Sequence, residues 1–190
     1  MDTKRYLGGL VLVLSLTVLA SAARADPVPP APATGPPAPS VPEIGRTWPV
    51  GTRPEVVRGW EPPPTAYARG HRGVDLAAFP GAPVRAVAAG RVSYAGRVAG
   101  RGVISVALTG TDLRTTYEPV RPLVTKGDEV TPGQVVGTVE PTGSHCGVPC
   151  VHWGLRRDRT YLDPLTLMPP WLLRSGPSRL LPVRGVPLPS

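Results

Sequence analysis

Glycine and proline interrupt the middle of this chain at close intervals, at Gly81, Gly90, Gly100, Gly110, Pro122, Gly127 and Gly133. The gaps between them leave little room for a helix of ordinary length, about three turns. They are filled by β-branched runs at 84–88, 91–94, 103–107, 114–117 and 134–139. Short strands with turn signals at this spacing predict an all-β fold, an antiparallel sandwich or half-barrel. With 22 glycines and 27 prolines among 190 residues, a helix-rich fold is disfavoured.

The flanks differ from the middle. Residues 1–25 read as a secretory signal peptide. Lys4 and Arg5 precede an apolar stretch over 7–20, and Ala23-Arg24-Ala25 stands before Asp26. The apolar stretch is shorter than the roughly 20 residues of a spanning helix, so membrane contact is expected only if the signal stays uncleaved. Residues 26–64 read as a Pro-rich tether and docking segment. Its first part is polyproline-like, and Trp48, Val56, Val57 and Trp60 in its second part can pack on a domain. Residues 65–168 form the predicted β domain, and 169–190 a Pro-rich basic tail, disordered or loosely docked.

Net charge is +8. Removing 1–25 takes away Lys4, Arg5, Arg24 and Asp2, leaving +6 with Lys126 as the only lysine. A secreted basic chain is drawn to anionic surfaces, such as the phosphate polymers and peptide carboxylates of a cell wall. No helix-turn-helix, zinc-finger or stacking-aromatic pattern is present, so nucleic acid is not an expected partner. The expected location is the secreted or extracytoplasmic cell envelope, an oxidising setting.

The chain has three histidines, His71, His145 and His152. On a flat strand, His71 and Asp75 would lie about 13 Å apart. Two ligands of one zinc must both come within about 2.0–2.2 Å of it. The chain must therefore bend between them, and Gly73 can supply the bend. His71, Asp75 and His152 together offer two imidazoles and a carboxylate. That is the three-ligand set of a catalytic zinc with water in the fourth position.

Several ordered segments carry a resemblance. They are Gly70-His71-Arg72-Gly73-Val74-Asp75-Leu76, Gly81-Ala82-Pro83-Val84-Arg85-Ala86, Ala89-Gly90-Arg91-Val92-Ser93-Tyr94-Ala95-Gly96, Thr115-Thr116-Tyr117, Lys126-Gly127-Asp128 with Gly133-Gln134-Val135-Val136-Gly137, Val148-Pro149-Cys150-Val151-His152-Trp153, and Asp163-Pro164-Leu165. From about residue 70 to 167 the chain resembles the lysostaphin/LytM-type zinc endopeptidases, which cut peptidoglycan peptides. The resemblance implies one Zn2+ per chain on His71, Asp75 and His152. It also implies peptidoglycan, or a hydrolase of the envelope, as partner. Two auxiliary catalytic histidines of the family are replaced. The histidine of Tyr-x-His falls on Pro119, and the first of His-x-His falls on Cys150.

Proline has no side-chain donor and cysteine is a weak one. Loss of one oxyanion donor costs about 10²–10³ in turnover. Cys146 and Cys150, in a secreted chain, are expected to form a disulfide that shapes the loop beside the metal. The alternative is a reduced Cys150 serving as a fourth zinc ligand. His145, in the same loop, can substitute for a lost catalytic histidine, with Glu118 as acid or base. Three readings stay open. The first is a zinc-binding wall module with impaired catalysis or a role in regulating wall hydrolysis. The second is an active endopeptidase using the relocated histidine, and the third a metal-free β module.

Overall fold

The structure is a computed structural model that describes residues 40–65 and 68–174. The expected signal peptide, the polyproline-like part of the tether up to residue 39 and the tail beyond 174 lie outside these residues. Among those described, the strands are β1 (Val56–Arg58), β2 (Gly73–Ala77), β3 (Pro83–Arg85), β4 (Gly90–Val98), β5 (Arg101–Leu108) and β6 (Leu113–Glu118). They continue with β7 (Val120–Pro122), β8 (Glu129–Val130), β9 (Val135–Val139), β10 (Cys150–Arg157) and β11 (Thr160–Leu162). The fold is all-β and antiparallel, as expected. The large sheet runs β1-β2-β10-β6-β5-β4-β8, with β11 added to β10, and a smaller sheet runs β3-β9-β7.

Period-two patterning explains the layers. Along β6, Leu113, Thr115 and Tyr117 are buried, while Arg114, Thr116 and Glu118 are partly exposed. The inner residues meet Leu76, Ile104, Trp153 and Leu155 in one core. Trp48 joins it edge-on to Trp153, with ring centroids 6.5 Å apart. Thus the segment expected to dock supplies core residues, Trp48 and Val50 among them, whereas Val56 and Val57 are exposed. At the other end Met168 is buried, and Trp48 Nε1 donates to the carbonyl of Leu172 on the single helical turn α1 (Pro170–Leu173).

Buried polar groups in this core are matched. Trp153 Nε1 donates to Thr115 Oγ1 at 2.7 Å, Thr115 Oγ1 donates to Gly154 O, and Val87 N donates to the Tyr117 hydroxyl. Complete satisfaction of such a network favours one arrangement of the strands.

Turn chemistry sets the connections. Ala99 and Gly100, both at positive φ, close the β4–β5 hairpin as a two-residue loop. In the 124–137 segment, the turn at Gly127-Asp128 is closed by Asp128 accepting from Thr125 N. The turn at Pro132-Gly133 leads from β8, paired with β4, to β9 in the smaller sheet. This segment therefore bridges the two sheets. No helix among the described residues is long and apolar enough to cross a membrane.

Candidate metal centre

Strand register assembles the site. Asp75 on β2 lies opposite His152 on β10, and His152 lies opposite Glu118 on β6. Directly opposite residues share a sheet face. His71 precedes β2 and is held by an isolated bridge to Glu61. The chain thus bends before Asp75, as the two-ligand argument requires.

Gly73 has a different task from the one expected. It lies within β2 and is absent from the residues at positive φ. A Cβ there would come within 2.3 Å of Trp153 O and 2.6 Å of His152 Nε2. Glycine is required for space beside His152, not for a left-handed bend.

Four side chains converge. His152 Nδ1 lies 2.8 Å from Asp75 Oδ1, His71 Nε2 lies 3.0 Å from the same oxygen, and the two nitrogens are 3.1 Å apart. His145 Nε2 approaches the other oxygen, Asp75 Oδ2, at 3.0 Å. The donor atoms of His71, Asp75, His145 and His152 all lie within 4.8 Å of one another. Donors on one tetrahedral zinc at about 2.0–2.1 Å are separated by about 3.3 Å. The spacing therefore suits a single ion.

The tautomer of His71 sharpens the fit. Its Nδ1 lies 2.6 Å from the carbonyl of Gly59. A carbonyl can only accept, so Nδ1 donates and the Nε2 lone pair faces Asp75 and His152. Lone pair against carboxylate at 3.0 Å is favourable only with positive charge between them, supplied by imidazolium or by a metal ion. An imidazole oriented through its second nitrogen is the usual support of a metal-bound histidine. Nothing in the sequence marked Gly59 for this role, because a backbone carbonyl leaves no residue-type signal.

Electrostatics agree. Burial pushes the Asp75 carboxyl up, but the hydrogen bond from His152 and the charges of His145, His71 and His152 outweigh it and hold the group below its ordinary value. Asp75 is 1% exposed and poised as an anion.

The remaining candidates separate. Cys146 and Cys150 are joined in a disulfide, so the thiolate-ligand alternative for Cys150 does not apply. The bridge and a 3.1 Å bond from Cys146 N to Ser144 Oγ shape the loop that carries His145. Glu118 shares the face of His152 but lies outside the four-donor cluster, and its carboxylate pairs with Arg101 Nη1 at 3.6 Å. Pro119 is buried beside it and brings no donor.

Known proteins share this fold. An uncharacterized protein of Mycobacterium tuberculosis is 40% identical over 141 residues, which cover 72% of this chain and 54% of that protein. The chain spans about half the length of the curated relatives it matches. The catalytic domain of the antimicrobial peptidase lysostaphin from Staphylococcus simulans has a TM-score of 0.52 at 26% identity, over 64% of this chain and 93% of that one. A zinc-containing peptidase from Vibrio cholerae shares the fold, with a TM-score of 0.53 at 24% identity over 66% of this chain and 41% of that one. Residues 69–164, which hold every member of the His–Asp cluster, match the model of peptidase family M23, and the chain belongs to that family.

Proposed function

We propose that this chain is an extracytoplasmic M23 domain that holds one zinc on His71, Asp75 and His152 and binds peptidoglycan with impaired hydrolysis. In the envelope it serves as a wall-binding module or as a regulator of a wall hydrolase. One observation carries the reading. The donor cluster is complete, while the two positions for auxiliary histidines hold a buried proline and a disulfide-bonded cysteine. When bound, zinc supplies Lewis acidity toward a peptide carbonyl and toward water.

This chain's own residues then divide the work. Gly59 orients His71, and His152 shares Asp75 Oδ1 with it. Neither Pro119 nor Cys150 can carry a proton or donate to an oxyanion. The basic surface supports adhesion to an anionic wall.

A second reading rests on His145. Its Nε2 reaches Asp75 Oδ2 and its side chain is 36% exposed, so it is accessible from solvent. In an active endopeptidase it would be the relocated proton carrier, with Glu118 as its aid.

The two are separated by incubating the purified protein with peptidoglycan sacculi. Under the leading reading the protein sediments with the wall and releases no soluble peptide. Placing Pro119→His in the chain then raises release by about 10²-fold or more over that background. Release by the unaltered protein that disappears in His145→Ala would replace the leading reading with the second.

A further inference from the structure

The outer face of the large sheet carries three successive rows. The first is Asp75–His152–Glu118, the second Gly73–Gly154–Thr116, and the third Tyr161–Arg156–Arg114, read across neighbouring strands in register. The middle row has no large side chain, and a Cβ on Gly154 would lie 2.6 Å from Thr116 Oγ1. It is closely filled, since Gly73 and Gly154 are buried and a Cβ on Gly154 would also lie 3.6 Å from the carbonyl of Arg72. Four residues along β10 separate His152 from Arg156, about 13 Å.

The third row is electrostatically incomplete. Arg114 and Arg156 are directly opposite, and like charges so placed are destabilising. The ion pairs among the described residues involve other arginines, not these two. The Nε of each is buried and unpartnered among those residues. Arg156 is nevertheless held in place, stacked 5.0 Å from the Tyr161 ring centroid and donating to Asp158 O. The pair lines a depression of about 310 Å³. Of its two acidic liners, Asp112 is ion-paired with Arg157 at 2.9 Å, while Asp158 gives its main-chain carbonyl to Arg156 and keeps its carboxylate beside the depression.

We infer that Arg114 and Arg156 form a carboxylate-binding subsite for an acidic peptide seated in this depression. The inference rests on the peptidoglycan-binding reading above and names the group recognised. A carboxylate between the two guanidinium forks removes the like-charge repulsion and accepts from both arginines in the geometry these groups favour. Tyr161 positions Arg156 through its ring face.

The test titrates the full chain, in zinc-containing buffer, with a synthetic wall stem tetrapeptide bearing free carboxylates. The same peptide with every carboxyl amidated is the control, and sedimentation with sacculi runs in parallel. Binding of the free-acid peptide is expected to fall about tenfold or more on amidation, in Arg114→Gln and in Arg156→Gln. Arg114→Lys recovers only part of the loss, because it keeps charge without the fork. The unfolding temperature of Arg114→Gln stays level or rises, whereas a merely structural arginine would lower it. Equal binding of the two peptides, or of wild type and variants, overturns the subsite. So does an unbound free-acid peptide while sacculi are still retained, and both leave wall binding intact. Failure to bind either peptide or sacculi removes the proposed function itself. Stronger displacement by poly(glycerol phosphate) than by the peptide overturns the subsite in favour of a phosphate site.

Discussion

On strand β10, Val151, Trp153 and Leu155 point into the core and are fully buried, while His152 and Arg156 stand on the outer face with the buried Gly154 between them. The inner set is matched throughout. Trp153 packs on Trp48, and its one polar atom donates to Thr115. The outer set is not matched within the protein. His71 presents a lone pair to a carboxylate, and two arginines face each other. Buried or crowded polar groups without partners cost free energy. On the reading proposed here, the core face of the sheet serves stability and the outer face a ligand.

The largest expected effect comes from the inner face. Trp153→Ala removes a fully buried ring and should cost about 3–5 kcal/mol in denaturant unfolding, with zinc content falling only as the folded fraction falls. Loss of zinc with little loss of stability would break the division between the faces.

A second inner-face effect is alkaline. Burial pushes the Tyr117 hydroxyl up to about 12 from its ordinary 10, against opposing hydrogen bonds with Thr115 and Val87. The folded state thus binds its proton more tightly than the unfolded state. The contribution is fully present below pH 10 and is lost as pH rises from 10 toward 12, by up to about 3 kcal/mol. Unfolding free energies of wild type and Tyr117→Phe should converge over that window. A constant difference would mean that the hydroxyl is not sequestered.

The smallest effect lies on the outer face. Gly154→Ala meets a movable hydroxyl, Thr116 Oγ1, and should cost about 1 kcal/mol while leaving zinc content unchanged. Gly73→Ala meets the backbone of Trp153 and the ring of His152, and sharpens the contrast by displacing a donor as well. Both are read by paired denaturation and zinc analysis.

The same two faces explain what was legible in the sequence. The β4, β5, β6 and β9 runs were readable from β-branched residues between glycines. The central strands β2 and β10 fell outside those runs. Their outer positions are Gly73, Asp75, His152, Gly154 and Arg156, which are not strand-propensity residues, and the two glycines answer to close neighbours instead. His71, Asp75 and His152 were readable as a set because residue type carries ligand chemistry. Their meeting point depends on the β2–β10 register and on a carbonyl from Gly59, which are long-range facts without a local pattern. Trp48 was legible as a docking residue, whereas the core role of Val50 was hidden by proline-rich surroundings whose composition resembles a tether.

The central claim is that the outer face of β2 and β10 is a zinc centre. Its most direct test is the zinc bound per chain after dialysis against buffered zinc and removal of the excess, for wild type and His71→Ala. The account predicts one zinc in the wild type and none in a still-folded His71→Ala. A wild type without zinc, or a His71→Ala chain that retains it, would contradict the account.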